Sequence, residues 1–302
     1  MDIQDVEKLA DEYIQSLNNR KAKAEAKRQK EILLESYKGD DNVISFEEIY
    51  ENEKDIKYEY ISTGHQGLDE ALGGGIKTKE LIVISGFTGN GKTSFCFDLT
   101  RNMKSQNCFW LPFEESANEF ARKNIIWRQE PIHFYTPAKI VREDIGWIEE
   151  RILEAVIKYQ SKVVFIDNLH FITMGEEFNQ FAKQGTFTKE LKRIADRLDV
   201  AIVLIAHLRK SKEGIHKMPT FEDISGSSDV VKLANKVITV WREAKKNMTD
   251  GSIEYSGFTK VGIQKVREAN GKLTTLNFKW DKGVYTEDNP FPRMPKYEEF
   301  EF

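Results

Sequence analysis

Residues 81–93 read Leu81-Ile82-Val83-Ile84-Ser85-Gly86-Phe87-Thr88-Gly89-Asn90-Gly91-Lys92-Thr93. The last eight match G-x-x-x-x-G-K-[ST], directly behind an apolar run and ahead of the amphipathic SFCFDLTRNMKS (94–105). A strand, a glycine-rich turn and a helix in that order form a P-loop, which wraps backbone N–H groups around a polyphosphate at a helix N-terminus. Gly86, Thr88, Gly89, Asn90, Gly91 and Ser94 are the expected cradle. Lys92 is expected to reach the β- and γ-phosphates, and the Thr93 hydroxyl to hold Mg²⁺.

From Ile61 onward, short apolar runs alternate with longer amphipathic ones. Strands are expected at 81–85, 108–113, 162–167, 201–207, 236–242 and 258–267, with helices at 94–105, 116–129, 145–160 and 185–199. Such alternation predicts an α/β fold with a mostly parallel sheet flanked by helices. The last third is richer in strand, which predicts an antiparallel extension at that edge. Ahead of this region, Ile3, Val6, Leu9, Ala10, Tyr13, Ile14 and Leu17 form one apolar stripe at helical spacing. The Ala- and Lys-rich run 19–38 follows, then an acidic stretch to about residue 60. Residues 1–60 read as a helical linker that docks on its own core or on a neighbouring subunit, residues 61–289 as the ATPase domain, and the acidic-aromatic tail 290–302 as disordered.

Composition limits the alternatives. The 302 residues are 40% hydrophobic and 31% charged, enough to bury a core. The longest purely apolar run spans only 201–206, whereas a membrane helix needs about 20 apolar residues, so no membrane association is expected. The two cysteines, Cys96 and Cys108, have no metal-ligand spacing, as suits a reducing cytoplasm. A formal net charge of −4 excludes an all-over basic coat but leaves room for a local nucleic-acid site.

The remaining catalytic candidates stand at strand ends. Asp167 closes KVVFID and is the expected second metal-side group. Glu114 and Glu115 end the CFWLPF strand, and either is a candidate to orient the attacking water. His207 ends AIVLIA and is followed by the basic residues Arg209, Lys210, Lys212 and Lys217, whose charges suit phosphate contacts to a single strand.

These motifs together resemble the replicative hexameric helicases of the DnaB type, especially the phage and mitochondrial (Twinkle) branch, whose motor has a RecA-like fold. STGHQGLDEALGGGIKTKELIVISG (62–86), LPFEES (111–116), VVFIDNLHFI (163–172) and QGTFTKELKRIADRLDVAIVLIAHLRK (184–210) carry the likeness, which runs from about residue 61 to 287. It implies that Glu114 is the catalytic glutamate, Asp167 the Walker B acid and His207 a γ-phosphate sensor. QKVRE implies that Lys265 and Arg267 reach the neighbouring subunit's nucleotide. DISGSS resembles a DNA-binding loop comprising Ser225, Gly226 and Ser227, although the family usually has Arg at 225 and Gly at 228.

The resemblance further implies a ring, expected to be hexameric, that hydrolyses ATP or another NTP or dNTP with Mg²⁺. It would translocate 5′ to 3′ on single-stranded DNA and unwind duplex at a replication fork, with primase, polymerase or a helicase loader as partners. The chain carries neither the family's N-terminal collar nor a primase module, so a minimal motor is expected, acting in the cytoplasm (a bacterial host's, if phage-encoded). The rival readings are a RecA-type recombinase forming filaments on single-stranded DNA and an NTP-gated regulatory module.

Overall fold

A computed structural model describes residues 3–17, 19–36, 43, 45–54, 60–127, 132–141, 144–168, 180–208, 218–224, 228–246 and 253–288. The chain divides into two compact units, Met1–Tyr58 and Glu59–Phe302. In the first, α1 (Ile3–Ser16) and α2 (Arg20–Ser36) form over the predicted helical runs. Lys30 Nζ reaches Glu7 at 3.3 Å and Asp11 at 2.9 Å, so one cation of the basic run joins the two helices. A third helix, α3 (Phe46–Glu53), occupies the acidic stretch; Ser45 and Glu48 make a capping box at its start.

The second unit carries a short antiparallel pair, β1 (Tyr60–Ile61) with β2 (Ile76–Lys77), and is built on a sheet in the order β10-β9-β8-β7-β3-β6-β5-β4. Its parallel half comprises β3 (Leu81–Gly86), β4 (Phe109–Pro112), β5 (Val163–Asp167), β6 (Ala201–His207) and β7 (Lys236–Lys246). Every residue of β3 is buried, as expected of a central strand covered on both faces. Ile82 and Ile84 face a cluster with Phe95, Trp110, Phe165 and Phe278, while Leu81 and Val83 face Ile148, Ile152, Leu191 and Ile194. Trp110 is fully buried and stacks on Phe165 with ring centroids 4.6 Å apart.

The helices of this unit are α4 (Gln66–Ala71), α5 (Lys92–Asn102), α6 (Ala117–Trp127), α7 (Ile145–Tyr159), α8 (Gln180–Arg197) and α9 (Ser228–Leu233). The expected antiparallel extension is present as β8 (Ile253–Val266), β9 (Thr274–Asp281) and β10 (Val284–Glu287). It is longer than the sequence suggested, since β9 and β10 were not anticipated. No described helix is long and apolar enough to cross a membrane. Parallel strands bring all their carboxyl ends to one edge, so the residues just after β3, β4, β5 and β6 are neighbours there.

Candidate nucleotide site

The phosphate loop joins β3 to α5, and its glycines answer to packing. A Cβ on Gly86 would lie 2.3 Å from the carbonyl oxygen of Val240. Gly91 caps α5 at a φ of 85°, a left-handed conformation that favours glycine, and a Cβ there would meet Tyr285 Oη at 2.7 Å. Lys92 begins α5, and its buried Nζ donates to the carbonyls of Gly86 at 2.9 Å and Phe87 at 3.2 Å. Burial pushes its pKa below the ordinary lysine value, against the pull of Asp167 and Glu114. Asn90 departs from its neighbours: its backbone N–H donates to Phe87 O, and its side chain accepts from the N–H of Arg242 at 2.8 Å. Its side chain pins the loop to β7.

Thr93 Oγ1 donates to Asp167 Oδ2 at 2.7 Å, joining the two groups expected at the metal. Burial raises the Asp167 carboxyl to about 6, with the Thr93 hydrogen bond opposing and Glu114 reinforcing the shift. A hydroxyl beside a carboxylate is a hard-oxygen pair of the kind Mg²⁺ takes together with phosphate oxygens and water. The residues present therefore suit that ion.

Three strand ends meet beside this pair. Glu114 lies two residues beyond β4, Asn168 one residue beyond β5, and His207 is the last residue of β6. Asn168 Nδ2 donates to Glu114 Oε1 and lies 2.6 Å from His207 Nε2, which is itself 3.0 Å from Glu114 Oε1. The hydrogen bond from Phe113 N to Asp167 O, at 2.6 Å, fixes the end of β4 against β5 and thereby delivers Glu114. Of the two glutamates left open by the strand pattern, Glu114 occupies this position.

The opposite wall was not anticipated. Arg242, next to the buried Trp241 in β7, holds its guanidinium 5.0 Å from the Tyr255 ring centroid and 5.2 Å from that of Trp280. Its Nε is buried with no hydrogen-bond partner among the described residues. Trp280 and Tyr285 line the same cavity as Lys92, Thr93, Asp167, Glu114 and His207, a space of about 480 Å³. That volume suits a nucleotide-sized ligand. Cation–aromatic surfaces of this kind suit a flat nucleobase.

Lys265 and Arg267 lie elsewhere. Arg267 N donates to Asn235 O, and Asn235 N to Leu81 O, so Arg267 sits level with the start of β3. The phosphate loop begins five residues further on, roughly 16 Å along the sheet. Lys265 Nζ donates to the carbonyls of Val231 at 2.7 Å and Lys232 at 2.9 Å, and Arg267 Nη2 to that of Lys232, at the carboxyl end of α9. Burial, with Arg267 and Lys192 nearby, lowers Lys265 to about 8.

The expected DNA contacts Arg209, Lys210 and Lys212, and Ser225, Gly226 and Ser227, lie outside the described residues. Their anchors are described: Leu208 and Ile224 form an antiparallel bridge, so both segments leave from adjacent points immediately after His207.

Comparison with known proteins places this geometry. The family model "DnaB-like helicase C terminal domain" matches residues 127–287, and a KaiC ATPase model matches 61–127. A probable replicative DNA helicase of Trieres chinensis is 23% identical over 256 residues, covering 73% of this chain and 55% of the relative. The DNA repair and recombination protein RadA of Aeropyrum pernix is 39% identical over 190 residues, covering 53% of this chain and 56% of the relative. This chain thus spans about half the length of either curated relative. Among solved structures, a DnaB-like replicative helicase superposes with a TM-score of 0.63 at 17% identity, covering 94% of this chain and 76% of that one. A KaiC-like protein of Pyrococcus horikoshii superposes with a TM-score of 0.58, also at 17% identity, covering 78% of this chain and 100% of that one. These likenesses establish a RecA-like α/β core. With more than half of its residues matched by the first model, the chain belongs to the DnaB-like helicase C terminal domain family.

Proposed function

We propose that this chain is the NTP-hydrolysing motor of a ring-forming replicative DNA helicase. It binds ATP, or another NTP or dNTP, and moves on single-stranded DNA in the 5′-to-3′ direction to unwind duplex at a replication fork. One observation carries the reading: Lys92, Thr93, Asp167, Glu114 and His207 line a single cavity, while Lys265 and Arg267 stand on the order of 16 Å away at the other end of the sheet. A site so divided is completed by a second copy of the chain.

The roles follow from the chemistry. The phosphate loop and Lys92 grip the triphosphate. Thr93 and Asp167 are the residues that would hold Mg²⁺, which would supply positive charge to offset that of the triphosphate. Glu114 orients the attacking water and accepts its proton. His207 meets the γ-phosphate. Arg267, helped by Lys265, stabilises charge on the transferring phosphoryl group of the neighbour, a contribution worth about 10³–10⁵ in rate where such fingers have been measured. The 209–212 and 225–227 segments, anchored beside His207, contact the DNA backbone and convert γ-phosphate loss into movement.

Two apolar surfaces support a closed assembly. Leu9 and Tyr13 are exposed on α1, and Val141 with Leu153, Ile157 and Tyr159 of α7 is exposed on the second unit. Docking α1 of one copy on α7 of the next would cover both. A hexamer, with primase, polymerase or a loader as partner in the cytoplasm, is the assembly this reading favours. The similarity to RadA keeps a filament-forming recombinase as the second reading.

The deciding experiment is unwinding of forks bearing only a 5′ or only a 3′ tail, each with ATP and with dTTP, alongside electron microscopy on single-stranded DNA. Rings and displacement of the 5′-tailed strand support the helicase. Filaments without displacement support the recombinase.

A further inference from the structure

We propose that Asn168 is a positioning residue that holds the Glu114 carboxylate and the His207 imidazole in one fixed relation, so that γ-phosphate sensing and water orientation act as a unit. The inference rests on the roles proposed above for Glu114 and His207 and adds the residue that couples them.

Sheet order makes Asn168 the natural bridge. β5 lies between β4 and β6, so Glu114 and His207 rise from the two strands flanking Asn168. Those strands are two spacings apart, about 9.6 Å at the backbone. A short side chain from the middle strand reaches both, and Asn168 is fully buried there. Its amide nitrogen carries two hydrogens, one for each neighbour. One goes to Glu114 Oε1, and the other faces His207 Nε2 at 2.6 Å.

This allocation has a consequence for the imidazole. If Nε2 accepts from Asn168, the ring proton sits on Nδ1. Nε2 and Glu114 Oε1 then face each other as two acceptors 3.0 Å apart, a contact that is tolerable only with a two-hydrogen donor between them. Taking the amide away sets lone pair against lone pair, and the carboxylate and imidazole move apart. A γ-phosphate oxygen that engages His207 alters one side of this triangle, and Asn168 passes the change to Glu114. Asp167, the preceding residue, points instead to Thr93, so the two roles fall on adjacent side chains of one strand end.

The test compares Asn168→Ala and Asn168→Asp with wild type in DNA-stimulated ATP hydrolysis. The aspartate variant keeps the shape and removes both donors. Displacing a reacting group by about 1 Å costs up to about 100-fold, so kcat should fall about 10- to 100-fold while KM for ATP stays within about twofold. Adding Asn168→Ala to His207→Ala should cost less than the product of the single losses, because the coupled pair is already broken. Wild-type kcat in a nucleotide-binding Asn168 variant, or fully multiplicative losses, would overturn the proposal. Glu114→Gln separates the two levels: if it retains full turnover, the role of Glu114 itself is wrong; if it stops turnover while the Asn168 variants run normally, only the coupling is wrong. Wild-type protein supplies a measurement free of folding effects. The ring-¹⁵N spectrum, assigned with His207→Ala, should show His207 Nε2 unprotonated and accepting a hydrogen bond, whereas a protonated Nε2 would refute the arrangement.

Discussion

The backbone N–H of Arg242 donates to Asn90 Oδ1 at 2.8 Å, which fastens β7 to the phosphate loop and aims the Arg242 guanidinium between Tyr255 and Trp280. One hydrogen bond thereby joins the phosphate loop to the Arg242–Tyr255–Trp280 wall, whose flat surfaces suit a nucleobase. Losing a base-stacking aromatic typically costs about 1–3 kcal/mol. Trp280→Ala should therefore raise KM for ATP about tenfold or more with kcat little changed, as read by steady-state kinetics. An unchanged KM would mean that the base lies elsewhere.

Removing the phosphate lysine tests the cradle and, by mixing, the proposed division of the site between copies. Lys92→Ala should lose nucleotide turnover. Arg267→Ala should bind nucleotide normally yet hydrolyse it about 10³-fold more slowly. Mixing Arg267→Ala with excess Lys92→Ala chains should restore part of the rate, because each intact half then meets its counterpart. Absence of rescue at every ratio would place Arg267 outside the catalytic arrangement.

The raised Asp167 carboxyl sets a pH window. Its value of about 6 stands above the 3.8 of an unperturbed aspartate, so the folded chain binds the extra proton between those limits. The sign follows: without ligand, this group's contribution to stability declines as pH rises from about 4 to about 6. Mg²⁺ needs the ionised form, so affinity for the Mg²⁺–nucleotide should weaken about tenfold per unit as pH drops below about 6. Titration calorimetry at pH 5, 6 and 7 checks this, and a flat profile would contradict it.

Glu80 and Lys236 form an ion pair with 3% and 0% of their side chains exposed, at the end of the sheet remote from the phosphate loop. Breaking a buried pair leaves an uncompensated charge and costs about 3–5 kcal/mol, whereas replacing both partners with apolar residues is often neutral. Glu80→Ala should lower the urea midpoint strongly, and Glu80→Leu combined with Lys236→Met should recover most of the loss. Equal damage from the single and double changes would show that packing, not charge, is at stake.

Much of this arrangement is legible in the sequence, for a physical reason. The phosphate loop is local, because its conformation depends on glycines and a lysine at fixed spacing. Glu114, Asp167 and His207 were legible because each ends an apolar run, and parallel strands gather such ends at one edge. Asn168, Arg242 and Trp280 gave no local signal; their contacts depend on which strands are neighbours, something that no spacing encodes. β9 did carry a signal: Leu276, Phe278 and Trp280 alternate with Asn277, Lys279 and Asp281 at the period of a half-buried strand, a pattern missed when strands are read from continuous apolar runs. The helix over 46–53 escaped because its acids read as a solvated stretch, although Ser45 and Glu48 spell out its cap.

Cys96 and Cys108 lie fully within the core; burial drives the first thiol well above its ordinary pKa and the second to about 12. Native thiols in this state resist alkylation at neutral pH. A single cysteine introduced on the surface would therefore accept a maleimide dye almost without background. The wild-type background is in that sense already prepared for fluorescence studies that follow one protomer at a time.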